Sequence, residues 1–75
     1  MVYGKDVENR EDIKDNELYI VGDGYGTEEE ARDYAKVIKA SPRKIIKGPR
    51  GYAVIQKGKD ISMFTWIAGS VRYYR

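Results

Sequence analysis

The residues that could do chemistry lie in one short stretch, GDGYGTEEE at positions 22–30, where a glycine-rich turn precedes three glutamates. Glycines before a helix can aim backbone N–H groups at a phosphate. Here Glu28, Glu29 and Glu30 would occupy the first helical turn, where each close pair with a phosphate costs about 1 kcal/mol or more. The stretch also lacks the later glycine of a dinucleotide fingerprint and the Gly-Lys pair of a phosphate loop. We therefore interpret it as a strand-to-helix turn that needs flexible φ values.

Metal-dependent hydrolysis is the second chemistry that this stretch suggests, with Asp23, Glu28 and Glu29 as the candidate residues. However, the regular ligand spacing of an EF-hand loop is missing, and no nucleophile is paired with a general base. The chain also contains no histidine and no cysteine, which removes the commonest general base, thiolate metal sites and disulfides. We therefore predict that the protein is not an enzyme and holds no cofactor and no metal.

Charge is divided unevenly along the 75 residues, although the formal net charge is only +2. Residues 1–33 carry eleven acidic and four basic side chains, whereas residues 34–75 carry ten basic side chains and a single acid, Asp60. Such a split has three explanations. One half binds a partner of opposite charge, or the acidic segment lies on the basic one. In the third, both halves are solvated and folding mixes their charges over the surface.

Targeting signals are not evident in the sequence. The first residues lack the apolar core of a signal peptide, and the uncharged run ISMFTWIAGSV, at 61–71, is too short to span a bilayer. Together with the small size of the chain, this predicts a soluble, cytoplasmic protein with no membrane partner.

The N-terminal part predicts an arm followed by a domain. Residues 1–16 are polar with few apolar anchors, which indicates a mobile arm or a weakly docked segment. Residues 17–75 are expected to form a single α+β domain. The domain opens with ELYIVG, at 17–22, whose aromatic and β-branched residues predict a strand.

The main helix is predicted over residues 27–41. Thr27 and Glu30 have the spacing of a capping box, which predicts the start of the helix, and Pro42 predicts its end. The residues that recur at helical spacing predict its buried face and are Ala31, Ala35 and Ile38.

The second half predicts a hairpin and one ambiguous segment. Strands at 43–47 and 51–57 flank the turn 48–51, where proline and glycine set the backbone. Residues 60–68 favour a strand by composition, although Asp60 could cap a short helix. The predicted fold is α+β, an antiparallel sheet of three to five strands packed on one principal helix. The alternative is a ferredoxin-like βαββαβ order with 60–68 helical.

Both alternating faces of the strands LYIV and YAVI are apolar. One face carries Leu18, Ile20, Ala53 and Ile55, and the other carries Tyr19, Val21, Tyr52 and Val54. One helix covers only one face, so we expect the second face to display tyrosines unless the arm, a second short helix or another chain covers it. The predicted binding residues form an aromatic and basic sheet face: Tyr19, Arg43, Lys44, Lys47, Arg50, Tyr52, Lys57 and Trp66.

Such a face predicts two different kinds of partner. It could bind another protein, and a homodimer that buries the face is one form of that hypothesis. It could instead bind single-stranded DNA or RNA, since rings stack on bases while cations follow the backbone. The same residues also fit half-buried sheet tyrosines with solubilising lysines.

The order of a strand, the GTEEEA helix, a strand and the GYAVI strand, over residues 17–57, resembles small phage-encoded host-modulating proteins. It is also similar to one half of a SPOR-type βαββ unit. The resemblance implies a stand-alone interaction protein, and no functional residue is carried over from it. The leading hypothesis is therefore a non-enzymatic interaction protein of a phage or other mobile element that binds a partner protein through the aromatic and basic sheet face.

Overall fold

A five-stranded antiparallel sheet forms the centre of the fold in the computed structural model, which describes residues 3–68 and 71–74. The strand order across the sheet is β1-β5-β2-β4-β3. Along the chain the elements are β1 (Tyr3–Asp6), β2 (Leu18–Tyr25), α1 (Glu28–Val37), β3 (Lys44–Gly48), β4 (Gly51–Lys57), α2 (Met63–Ala68) and β5 (Arg72–Tyr74). The α+β prediction, with one main helix, is confirmed.

The connections interleave two strand-helix-strand units. Helix α1 joins β2 to β3 with β4 lying between them, and α2 joins β4 to β5 with β2 lying between them. From β2 to β5 the chain therefore follows the βαββαβ order of the predicted alternative. Strand β1 extends this unit at one edge by pairing with β5.

Helix α1 begins where its cap was predicted. The Thr27 hydroxyl accepts a hydrogen bond from the Glu30 amide at 3.1 Å, and the Glu30 carboxylate accepts one from the Gly26 amide at 3.1 Å. The predicted buried face is confirmed, because Ala31, Ala35 and Ile38 are all at most 3% exposed.

The end of α1 differs from the prediction, because the helix stops at Val37 rather than continuing to residue 41. Lys39 adopts a left-handed conformation with a φ of 54°. The Lys39 amide donates to the Lys36 carbonyl, and the Ala40 amide donates to the Ala35 carbonyl. These two bonds form a Schellman motif that ends the helix before Pro42 can act.

The predicted hairpin is present, with β3 and β4 in antiparallel register from Lys44 opposite Ile55 to Gly48 opposite Gly51. Gly51 has a φ of +118°, and a Cβ atom there would lie 2.7 Å from the Tyr25 carbonyl oxygen. This turn position therefore requires glycine.

The strand predicted over residues 60–68 is wrong, since residues 63–68 form α2. The Ser62 hydroxyl donates to the Ile38 carbonyl at 3.1 Å, which joins the start of α2 to the end of α1. Thr65 is fully buried and Trp66 packs on an apolar cluster of the sheet. Tertiary packing thus overrides the β-branched and aromatic composition that favoured a strand.

The segment predicted as an arm, 1–16, contributes to the sheet and to the core through its described residues. Strand β1 pairs with β5, and the Val7 amide donates to the Val71 carbonyl at 2.8 Å. Val7 is 6% exposed. The described part of residues 1–16 therefore packs on the rest of the domain through β1 and Val7.

Candidate protein-binding surface

The two faces of the sheet are covered in different ways. The helix face carries Tyr19, Val21 and Val54, which pack in clusters that include residues of α1 or α2. The face on which no helix packs, called the open face below, carries Ile20, Ala53 and Ile55, which form a cluster of their own. The sequence assigned these residues to the correct two faces, and the structure determines which face the helices cover.

Tyr19 was expected to be displayed unless the N-terminal segment or a second short helix covered it, and this exception applies, because its side chain is fully buried on the helix face. Its hydroxyl accepts a hydrogen bond from the Lys14 amide at 2.8 Å. Burial raises the pKa of Tyr19, and the Lys14 hydrogen bond partly opposes that increase. The residues that cover it include Val7 of the N-terminal segment and Trp66 of α2.

Tyr52 and Trp66 also lie on the helix face, where both are partly buried. Tyr52 packs against the cluster under α1, and the Lys47 ammonium lies 6.0 Å from the centre of its ring. Trp66 packs against the cluster that contains Tyr19. The aromatic members of the predicted site therefore support the core under the helices.

Four of the five cations of the predicted site lie along one edge of the sheet. Lys44 and Lys47 belong to β3, Arg43 precedes this strand, and Arg50 lies in the turn that follows it. Lys57 ends β4 opposite Leu18 and is partly buried. The four residues from Arg43 to Arg50 share the β3 edge, whereas Lys57 lies apart from them.

The open face is apolar at its centre even though neither helix packs on it. Ile20, Ala53 and Ile55 are at most 1% exposed. Leu18, Ile46 and Tyr74 pack against them, and the Lys44 ammonium lies 5.7 Å from the centre of the Tyr74 ring. Among the rings whose side chains the structure describes, only Tyr74 belongs to the cluster of this face. A set of rings for stacking several bases is therefore absent from the described part of the open face.

The glycine-rich turn holds its own carboxylates. The Gly26 amide, which a phosphate would need, donates to Glu30, and Glu28 pairs with Arg32 at 2.8 Å. Asp23 lies 3.5 Å from Arg72. Residues 3–68 and 71–74 contain no group of three or more acidic side chains arranged to hold a metal ion.

Exposed apolar side chains are concentrated on α2. Met63 is 56% exposed, Phe64 is 48% exposed and Ile67 is 78% exposed. Spacings of three and four residues put these side chains on one side of a helix. We call these three residues the α2 patch. The opposite side of the helix supplies the buried Thr65 and the partly buried Trp66.

The α2 patch adjoins the end of α1. The Lys39 ammonium lies 5.4 Å from the centre of the Phe64 ring, and Ser62 bonds to the Ile38 carbonyl. Val37, next to Ile38, is itself 74% exposed. The patch is thus an apolar surface with a cation at its margin.

Met63 and Ile67 are exposed residues that the predicted strand over 60–68 did not place together at the surface. Strand periodicity places Met63, Thr65 and Ile67 on one face, whereas helical spacing groups Met63 with Ile67 and separates both from Thr65. One signal in the sequence favoured a helix. Thr65 is the polar residue within the run Met63–Ala68, and helical spacing separates it from Met63 and Ile67.

Comparison with known proteins finds no matching family model, no curated relative and no solved structure that resembles this chain. Within the described residues, none of the helices has the length and apolar character needed to cross a bilayer.

Proposed function

We propose that this chain is a non-enzymatic interaction domain that binds a partner protein through the α2 patch. The observation that carries the proposal is the exposure of Met63, Phe64 and Ile67 on one side of a short helix. Burying a large apolar side chain stabilises a complex by about 1.5–3 kcal/mol relative to leaving it in water. Neighbouring exposed residues of this kind are typical of binding sites for other proteins.

The partner has a definable chemistry. An apolar pocket would receive Phe64 and Ile67, because aromatic and aliphatic anchors contribute most of the binding free energy in a small interface. A carboxylate at the margin of that pocket would face Lys39, whose ammonium lies 5.4 Å from the Phe64 ring centre. That ion pair would favour correct orientation and fast association more than affinity.

The proposal keeps the class of function that the sequence predicts and moves the binding surface. The partner would bind at α2 and not at the sheet face that contains Tyr19 and Tyr52. The sequence pattern of residues 17–57 led us to expect a likeness to small phage-encoded proteins that redirect host machinery, and such proteins act by occupying a surface of another protein. Origin in a phage or another mobile element therefore fits the proposal.

Site-specific photo-crosslinking tests the proposal. Ile67 is replaced by a benzophenone amino acid, and a second protein carries the same group at Glu29, an exposed residue of α1. Both are irradiated in a lysate of the source organism or its host, and crosslinked products are identified by mass spectrometry. We expect one protein to be crosslinked from position 67 and not from position 29.

Matched variants make the result specific. Phe64→Glu in the Ile67 crosslinking protein should remove the product, whereas Lys36→Glu should retain it, because Lys36 lies in the last turn of α1 and does not belong to the α2 patch. If the same proteins are crosslinked from positions 67 and 29 in equal amounts, the capture is nonspecific, and the α2 patch is rejected as the binding surface. Recovery of nucleic acid alone would favour the alternative function, binding of single-stranded DNA or RNA.

A further inference from the structure

The edge strand β3 is the most uniformly basic part of the described sheet. Its sequence is Lys-Ile-Ile-Lys-Gly, with Arg43 before it and Arg50 in the turn after it. Residues 34–59 contain no acidic side chain at all. Within the described residues, the ion pairs are formed by Arg32 and Arg72, so none of the β3 cations is neutralised in this way.

The backbone of β3 is available on its outer side. The strand is the last in the order β1-β5-β2-β4-β3, and β4 is its one neighbour within the described sheet. An edge strand presents a row of N–H and C=O groups that a further strand can use. Pro42 and Pro49 stand on either side of β3 and donate no N–H, which limits an added strand to about five or six residues.

The side chains of β3 alternate between the two faces. Lys44 lies opposite Ile55 and Ile46 opposite Ala53, on the open face, whereas Ile45 and Lys47 lie opposite Val54 and Tyr52 on the helix face. An added strand would meet a cation, two apolar residues and a second cation in that order. Its complement is an acidic residue, two apolar residues and a second acidic residue, since opposite charges in directly facing positions stabilise a strand pair.

We propose that the β3 edge binds an extended acidic segment of a partner protein by adding it to the sheet as a sixth strand. This mode of recognition combines backbone hydrogen bonds with side-chain selection. Lysines on an edge strand ordinarily prevent edge-to-edge association, and here they exclude a second copy, because pairing β3 with β3 would align like charges. An acidic strand meets no such repulsion. The site is separate from the α2 patch and does not depend on it.

The test uses a synthetic peptide with the sequence Ser-Thr-Glu-Val-Val-Glu-Thr-Ser and the full chain labelled with ¹⁵N. We expect chemical-shift changes and slower amide exchange at residues 44–48, and unchanged signals in α2. Lys44→Glu with Lys47→Glu should weaken binding about tenfold or more at low salt and should create affinity for the matching Lys-Val-Val-Lys peptide. The control, Lys36→Glu with Lys59→Glu, changes the net charge equally and should bind the acidic peptide as the unmodified chain does.

A peptide methylated on alternate backbone nitrogens separates strand addition from simple attraction between charges. Methylation on the side that faces β3 should abolish binding, and methylation on the other side should leave it intact. Equal binding of both methylated peptides would overturn the proposal, as would absence of binding at millimolar peptide. Signals that move only in α2 would also overturn it. Two further outcomes would overturn it. If the unmodified chain binds an oligonucleotide and not the peptide, and the Lys44→Glu, Lys47→Glu variant loses that binding, the β3 edge is a nucleic-acid site. If the particle mass measured by light scattering grows with protein concentration, the chain associates with itself.

Discussion

Three tyrosines gather at the end of the helix face, where β2 leads into α1. The rings of Tyr25 and Tyr34 are stacked with centres 5.1 Å apart, and both pack with Tyr52 against the cluster under α1. Tyr34 lies directly over Gly22, where a Cβ atom would overlap with the ring. Gly22 thus provides the space in which Tyr34 packs, a contact between residues twelve positions apart that gives the glycine-rich stretch a structural role.

Ionisation of Tyr25 should couple stability to alkaline pH. Burial, together with the charges of Tyr34 and Asp23, raises the pKa of Tyr25 from 10.0 to about 12. The unfolded chain therefore loses this proton first, and the free energy of unfolding falls as pH rises from 10 to 12. We expect Tyr25→Phe to show a smaller fall over that range in urea unfolding followed by circular dichroism.

The control for this prediction is the same comparison between pH 7 and 9, where the tyrosine is protonated in both states. The difference in unfolding free energy between the two proteins should be constant there and should change only above pH 10. A difference that stays constant up to pH 12 would show that Tyr25 does not contribute to the alkaline loss of stability.

At the scale of elements, the end of α1 connects helix termination to the α2 patch. The Schellman motif needs a left-handed residue, and this position is occupied by Lys39. A residue with a Cβ atom is strained there by about 1–2 kcal/mol, which glycine avoids. The strained residue also makes a tertiary contact, because the Lys39 ammonium lies near the Phe64 ring.

Lys39→Gly should therefore stabilise the fold by about 0.5–1 kcal/mol, because relief of backbone strain exceeds the loss of an exposed cation–ring contact. Urea unfolding measures the change. Lys36→Gly, in the last turn of α1, should do the opposite and destabilise by about 1 kcal/mol through lost helix propensity. Destabilisation by both substitutions would mean that the Lys39 side chain contributes more than the strain costs.

At the scale of the whole molecule, the strand that begins the acidic half of the sequence and the most basic strand lie at opposite edges of the sheet. Strand β1 begins the acidic half and lies at one edge, and β3 lies at the opposite edge among basic residues. The Asp6 carboxylate accepts a hydrogen bond from Arg72 of β5 at 3.1 Å. Strand β1 therefore does not cover the β3 edge, which leaves that edge accessible to an acidic partner.

The N-terminal segment should also be needed for stability. Val7 is 6% exposed and packs with Tyr19 and Val71, so Val7→Ala should destabilise the protein by about 1–3 kcal/mol through lost burial and a residual cavity. The exposed neighbour Glu8 provides the control, since Glu8→Ala should change the urea midpoint little. Equal midpoints for all three proteins would restore the interpretation of residues 1–16 as a detached arm.

The sequence by itself determined those features whose causes lie within a few residues. The cap at Thr27, the buried face of α1 and the hairpin turn at Gly51 depend on local hydrogen bonds, helical spacing and backbone conformation. It also assigned Tyr19 and Ile20 to opposite faces, because strand alternation is a local property. None of these predictions required knowledge of which distant segments meet.

Only the tertiary structure decided which face is covered, where α2 forms and how residues 1–16 are used. Tyr19 is buried because Val7 and Trp66, far apart in the chain, pack on the same cluster. Helix α2 is placed by the bond from Ser62 to the end of α1 and by the burial of Thr65. These contacts join residues that are distant in sequence, so their free energies are absent from any local pattern. The exposure of the α2 patch follows from the same packing, since burying Thr65 and Trp66 turns Ile67 toward solvent.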